Sequence, residues 1–252
     1  MVRFGTKLVV VMCALGLVSA ASAGRIIANN DEWTLSNYGF ATAGAGPTTT
    51  FAQNVASYMN SDGGPCTLLI YSNNSYLTGS NLNTALTGAG CTVTTSTGAF
   101  DAATLAAFDG VFLGGAQFSY NAAVLTTYIN SGGSAYIAAG TGSVDDANVW
   151  DSFLHGFGLD FGPNYNGISG TIATSGLAPL LSGVSQLYYN NGNTVSLFAS
   201  NPNAQIITFA PSTAARIGLI GVYNDVQGVP EPATLALLGL GLAGLGFSRR
   251  KQ

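Results

Sequence analysis

Between Gly24 and Val229 the chain has no lysine and two arginines, Arg25 and Arg216, against ten carboxylates, so this stretch carries a formal charge of −8 (two minus ten). Surfaces that hold phosphate backbones or anionic lipids need clustered Lys and Arg to neutralise phosphates and steer encounter. Nucleic-acid binding is excluded as a function class on that ground. Histidine is nearly absent as well, His155 being the single one, and cysteine ends at Cys91. A thiol nucleophile in the second half of the chain is therefore impossible. No internal repeat and no linker interrupts residues 24–228, which read as one domain. Its solubility must come from Ser, Thr, Asn and Gly rather than from charge.

What is present is clearest at the two ends. Arg3 and Lys7 form a positive n-region, Leu8 to Val18 an apolar run too short for a permanent membrane span, and Ala21-Ser22-Ala23 an A-x-A site before Gly24. The expectation is a secretory leader over residues 1–23, removed by signal peptidase. Val11-Met12 is a poor context for acylation of Cys13, so the lipoprotein variant is set aside. At the other end, residues 229–252 run Val-Pro-Glu-Pro-Ala-Thr, then an uncharged stretch to Phe247, then Arg249-Arg250-Lys251. Proline keeps the first part extended, the apolar part suits a membrane helix over 233–247, and the basic end stays on the cytoplasmic side. Fifteen residues from Ala233 to Phe247 fall short of the ~20 of a comfortable span, which suits a transient or thin-membrane anchor. The glycines at 239, 241, 244 and 246 lie inside that run and so do not form a phosphate-binding loop.

Pro230-Glu231-Pro232, the Leu/Gly-rich run and the basic end together resemble the PEP-CTERM sorting signal. The resemblance implies an exosortase as processing partner, with Pro230, Glu231 and Pro232 as the recognition site. It also implies a Gram-negative source that makes extracellular polysaccharide, and polysaccharide is the candidate partner outside the cell. The expected location is the cell envelope, membrane-anchored before processing, and the cell surface or extracellular matrix afterwards.

Loss of the leader leaves two cysteines, Cys66 and Cys91, each just ahead of a β-like run, Thr67 to Tyr71 and Thr92 to Thr95. In an oxidising compartment such a pair is a disulfide candidate, and parallel neighbouring strands would set the two side by side; two buried thiols are the alternative.

From Thr67 onward strands and helices alternate. The strands are Thr67 to Tyr71, Thr92 to Thr95, Gly110 to Leu113 and Ser134 to Ala139. The helices between them carry Leu82 and Leu86 behind Ser80, Leu105 and Phe108 behind Asp101, and Val124, Leu125, Tyr128 and Ile129 behind Asn121. An earlier helix carries Phe51, Val55 and Met59 behind Thr48-Thr49-Thr50. Short β–α connections predict an α/β fold, a doubly wound and mostly parallel sheet covered on both faces. Later β-like runs at 168–173, 195–198, 205–209 and 217–222 are expected to complete it. Ligands of such sheets bind at the carboxyl edge, here the loops 72–78, 114–120 and 140–146.

Over residues 67–157 the pattern resembles the flavodoxin-like class I glutamine amidotransferase fold. Gly114-Gly115 stands where that family builds an oxyanion hole, and Gly140-Thr141-Gly142 where it turns a nucleophile elbow. The resemblance implies a cysteine at the elbow and a late histidine, and this chain has neither. A hydrolase using Thr141 or Ser143 with His155 as base is the alternative, since a hydroxyl beside an imidazole can be activated. Three further groups have a chemical and a plain reading. Asn29-Asn30-Asp31-Glu32 before Trp33 offers metal or sugar contacts, or a turn. Asp145-Asp146 with Asp151 and Asp160 offers calcium ligands, or helix caps. Tyr188-Tyr189 before Asn190-Asn191-Gly192-Asn193 offers a sugar-stacking surface, or a strand and turn. The plain reading is the expectation in each case. No catalytic residue, metal or cofactor is assigned, and the domain is expected to act in binding or structure rather than as an enzyme.

Overall fold

The computed structural model describes residues 24–60, 63–72, 74–115, 120–140, 144–174, 179–210 and 216–224. The expected leader, the sorting motif with its apolar helix and basic end, and Thr141 to Ser143 lie outside these residues. Among the described residues no helix is long and apolar enough to cross a membrane.

Five strands, β1 (Arg25–Asn29), β2 (Thr67–Ile70), β3 (Thr92–Thr95), β4 (Gly110–Gly114) and β5 (Ser134–Ala138), run parallel. Their apolar runs have no polar alternation because both sides are covered. Ile27, Leu68, Ile70, Phe112 and Tyr136 face one core, whereas Ile26, Leu69, Val111, Leu113, Ala135 and Ile137 face the other. Helices α1 (Asn37–Thr42), α2 (Ala45–Met59) and α3 (Ser80–Gly88) cover the first face. Helices α4 (Ala102–Leu105), α5 (Ala122–Asn130) and α6 (Val144–Leu154) cover the second.

The late runs divide in a way periodicity could not tell. Only β10 (Ala204–Ala210) and β11 (Ile217–Asn224) join the main sheet, antiparallel, in the order β10-β11-β1-β5-β4-β2-β3. The expectation that all four complete it is corrected for the other two. Strand β7 (Ser169–Ala173) pairs with β8 (Gln186–Asn190), and β9 (Val195–Leu197) pairs with β6 (Leu159–Phe161), in separate two-stranded ribbons. The first ribbon packs on the core beneath α2 and the second on the core beneath α6. The opening strand is the larger surprise: β1 lies between β5 and β11, paired along its whole length on both sides.

Local signals fare unevenly. Asp101 and Asn121 cap their helices, accepting from Thr104 N at 2.8 Å and from Ala123 N at 3.0 Å. Ser80, expected to cap α3, is its first residue; the capping acceptor is Asn37 Oδ1, 3.0 Å from Asn81 N, lying where a side chain on Gly79 would stand. Asp145 and Asp146 fall within the first turn of α6 and not ahead of it. Strand β3 is mostly exposed at the sheet edge, and Cys66 and Cys91, one residue ahead of β2 and β3, are joined by a disulfide with Cα atoms 4.5 Å apart. The register pairs Thr67 with Thr92, so the bridge ties the edge strand to its neighbour at the amino ends.

Candidate functional site

At the carboxyl edge the chain leaves β1 through Asn29, Asn30, Asp31 and Glu32, four consecutive polar residues that are all buried. The expected turn is there, since Asp31 Oδ1 accepts from Trp33 N at 2.7 Å. It is covered by the segment after β8: Asn190 N donates to Asp31 Oδ2, and Asn193 N donates to Asn30 O at 3.0 Å. Gly192 passes so near Asn30 O that a Cβ would stand 2.0 Å from it, so only glycine allows the approach. Glu32 points into the sheet's switch region, between the ends of β2 and β4, where its Oε2 accepts from Asn74 Nδ2.

Burial drives the electrostatics. Asp31 is pushed up to about 6 by loss of solvent, against the pull of backbone N–H groups from Trp33, Asn190 and Gly192. Glu32 is pushed up to about 7, first by burial and then by the neighbouring carboxylates of Asp146 and Asp31, with Asn74 opposing. No described cation offsets them: Arg25 donates to Tyr58 O at 2.6 Å and Arg216 lies over the Phe209 ring. Near neutral pH the Glu32 carboxyl is therefore still partly protonated.

Gly114 ends β4 and Gly115 follows it, but they do not make an oxyanion hole. Gly115 N donates to Ala138 O at 3.1 Å, and Gly115 O accepts from Trp150 Nε1 at 2.9 Å. A Cβ on Gly115 would stand 2.7 Å from Glu32 Oε2. Glu32 Oε2 therefore fills the space beside this turn that a substrate oxygen would need. Gly140 likewise lies against a carboxylate, 2.3 Å from a Cβ position to Asp146 Oδ2.

Above the carboxyl groups lies a row of rings. Tyr76 and Trp33 are 4.4 Å apart between centroids, Trp33 and Tyr38 5.6 Å, Tyr38 and Tyr188 5.1 Å. Tyr38 is 53% exposed and Trp33 and Tyr76 are half-buried, while Tyr188 is buried behind Tyr38 and Tyr189 turns into the core. The row meets the carboxyl groups through the backbone, since Trp33 N donates to Asp31 Oδ1 at 2.7 Å and Tyr76 N donates at 2.9 Å to Oδ1 of Asn74, whose amide donates to Glu32. The two groups read separately as a turn and a strand, at residues 29–33 and 188–193, thus share one place. Neither Asn74 nor Tyr76 was singled out within the 72–78 loop, and no local pattern marks them. The side chain of Asn30, fully buried, and the indole N–H of Trp33 have no hydrogen-bond partner among the described residues.

His155 is elsewhere. It opens a 3-10 turn after α6, with its Nε2 2.8 Å from Asp160 Oδ1 and its ring stacked on Phe198 at 3.6 Å. Helical rise carries it about 16 Å along α6 from Val144. A cavity of about 310 Å³ opens at the opposite, amino edge of the sheet beside Met59, Phe108 and Tyr128. Its acid, Asp109, is committed to Thr67 N at 2.6 Å and Thr67 Oγ1 at 2.8 Å.

Residues 228–251 match the PEP-CTERM protein-sorting motif. The chain is accordingly an exported, envelope-associated protein and a substrate of an exosortase. No curated protein and no solved structure matches it.

Proposed function

We propose that this exported protein holds extracellular polysaccharide, without turnover, on the rings of Tyr76, Trp33 and Tyr38, with the buried Tyr188 ring supporting Tyr38 from behind. The observation that carries the reading is the meeting of that row with the buried acid and amide groups of Asp31, Glu32 and Asn74. Ring faces suit the apolar faces of sugars, and the adjoining carboxyl and amide groups suit their hydroxyls. A non-catalytic role is supported by the committed amide of Gly115 and by the placement of His155. The domain is a doubly wound module of the flavodoxin-like, amidotransferase-like kind, a reading supported by the order β3-β2-β4-β5 and by helices on both faces. The leader 1–23 delivers it across the membrane, and the 233–247 helix anchors it until the exosortase acts at Pro230-Glu231-Pro232.

The test is binding of the full chain, in mild detergent, to neutral polysaccharide from the native producer's matrix. Trp33→Ala and Tyr38→Ala should each weaken binding about tenfold or more, the loss expected of a central aromatic contact. Unchanged affinity in both variants would remove the reading, as would steady release of reducing ends by the wild type.

A further inference from the structure

Away from the carboxyl edge, the second face of the domain gathers two carboxylates and the single imidazole. Asp151 and His155 are four residues apart, at the end of α6 and the start of its 3-10 turn. The chain then reverses at Gly158, φ +77°, and returns Asp160 on β6. One donor atom from each of Asp151, His155 and Asp160 lies within 4.8 Å of the others. The three side chains are partly exposed, His155 at 32% and Asp160 at 25%. The calcium reading of the sequence had grouped Asp151 and Asp160 with Asp145 and Asp146; Asp146 instead lies against Gly140, and the imidazole takes the place of the other acids.

We propose that Asp151, His155 and Asp160 form a binding site for a divalent transition metal of the zinc class. One nitrogen and two carboxylate oxygens suit zinc, whereas calcium and magnesium take oxygen ligands. With bonds near 2.1 Å, donors around a tetrahedral zinc stand about 3.4 Å apart. The present separations are 2.8 Å between His155 and Asp160 and at most 4.8 Å across the set, a spread that side-chain adjustment can bring to that value.

The surroundings hold the donors as an outer shell would. Asp160 Oδ2 accepts from Ser196 Oγ at 2.9 Å, which leaves Oδ1 directed at the imidazole. Asp151 Oδ1 accepts from Phe161 N at 3.1 Å. The Phe198 ring, stacked on His155 with 7° between planes, fixes the imidazole and covers one of its faces. Charge agrees, because both described arginines are engaged elsewhere and the two carboxyl groups suit a dication. The metal would tie the end of α6 to β6, with its remaining position open to water or to a donor from outside.

The full chain in mild detergent, stripped with chelator, is titrated by calorimetry with zinc chloride and separately with calcium and magnesium chloride. About one zinc per chain is expected, with a rise in melting temperature and no comparable response to calcium or magnesium. His155→Ala and Asp160→Asn should abolish that zinc binding, and Ser196→Ala should weaken it roughly tenfold through Asp160 alone. If His155→Ala does not fold, Asp160→Asn and Ser196→Ala carry the decision. No zinc binding by the wild type, equal binding by the folded variants, or a preference for calcium would each overturn the proposal.

Discussion

Replacing Glu32 by glutamine should make the protein more stable at alkaline pH and leave it almost unchanged in acid. The Glu32 carboxyl is 5% exposed and pushed up to about 7 from 4.5, chiefly by burial. Between those values the folded protein keeps a proton that the unfolded chain has released. The contribution of Glu32 to stability is therefore full below about pH 4.5 and is lost as pH rises through about 7. At 1.36 kcal/mol per unit, a gap of that width costs about 3 kcal/mol at pH 8 relative to pH 4.5. Asp31, pushed up to about 6, acts in the same direction at lower pH; the two carboxyl groups interact, so their costs do not add. Glutamine keeps a carbonyl oxygen for Asn74 and has no charge to form. The variant should thus gain up to about 3 kcal/mol over the wild type at pH 8, or about 10 °C in melting temperature, and differ by less than about 1 kcal/mol at pH 4.5. Urea unfolding of the full chain from pH 4.5 to 8.5, followed by tryptophan fluorescence, reads this directly. Parallel pH profiles for the two proteins would show that Glu32 is ionised at no cost and would refute the account of the buried acid cluster.

Reduction of the Cys66–Cys91 bridge, or the double change to alanine, should cost about 3.5 kcal/mol, the chain-entropy value for a loop of this length, and should loosen the edge strand β3 first in hydrogen exchange. Wild-type protection of Thr92 to Thr95 in the reduced protein would count against that order. Intact mass of protein from the native cell surface should begin at Gly24 and lack the residues after the Pro-Glu-Pro region; a mass that retains Gln252 would make the tail a standing anchor.

Much of the sheet was legible because its signals are local. The runs that form β2, β4 and β5 are short and apolar, with glycine nearby, and Asp101 and Asn121 announce their helices. Pairing partners are not local. Nothing in Arg25 to Asn29 says that its neighbours are 109 residues away at Ser134 and 199 away at Asn224. The same holds for the candidate site. Asp31 reads as a turn former and is one; its burial comes from Asn190 and Gly192, which fold over it from β8. Tyr188 reads as a strand residue and is one; its ring contact with Tyr38 bridges 150 residues. His155 pairs with Asp160 and stacks on Phe198, contacts made across a chain reversal and from the residue after a separate strand that its own neighbours in sequence do not announce.

The first strand of the domain lies between the fifth and the last, and this constrains how an exported chain can acquire its structure. Until Ile217 to Asn224 has crossed the membrane, β1 lacks a partner on one side, and the core beneath α2 lacks Leu219, Ile220 and Val222. Closure depends on contacts of very long sequence separation, which form slowly. The chain should consequently stay unfolded and threadable through translocation, protected by its order of strands from folding too early, and should complete its sheet only when the segment preceding the sorting motif has emerged.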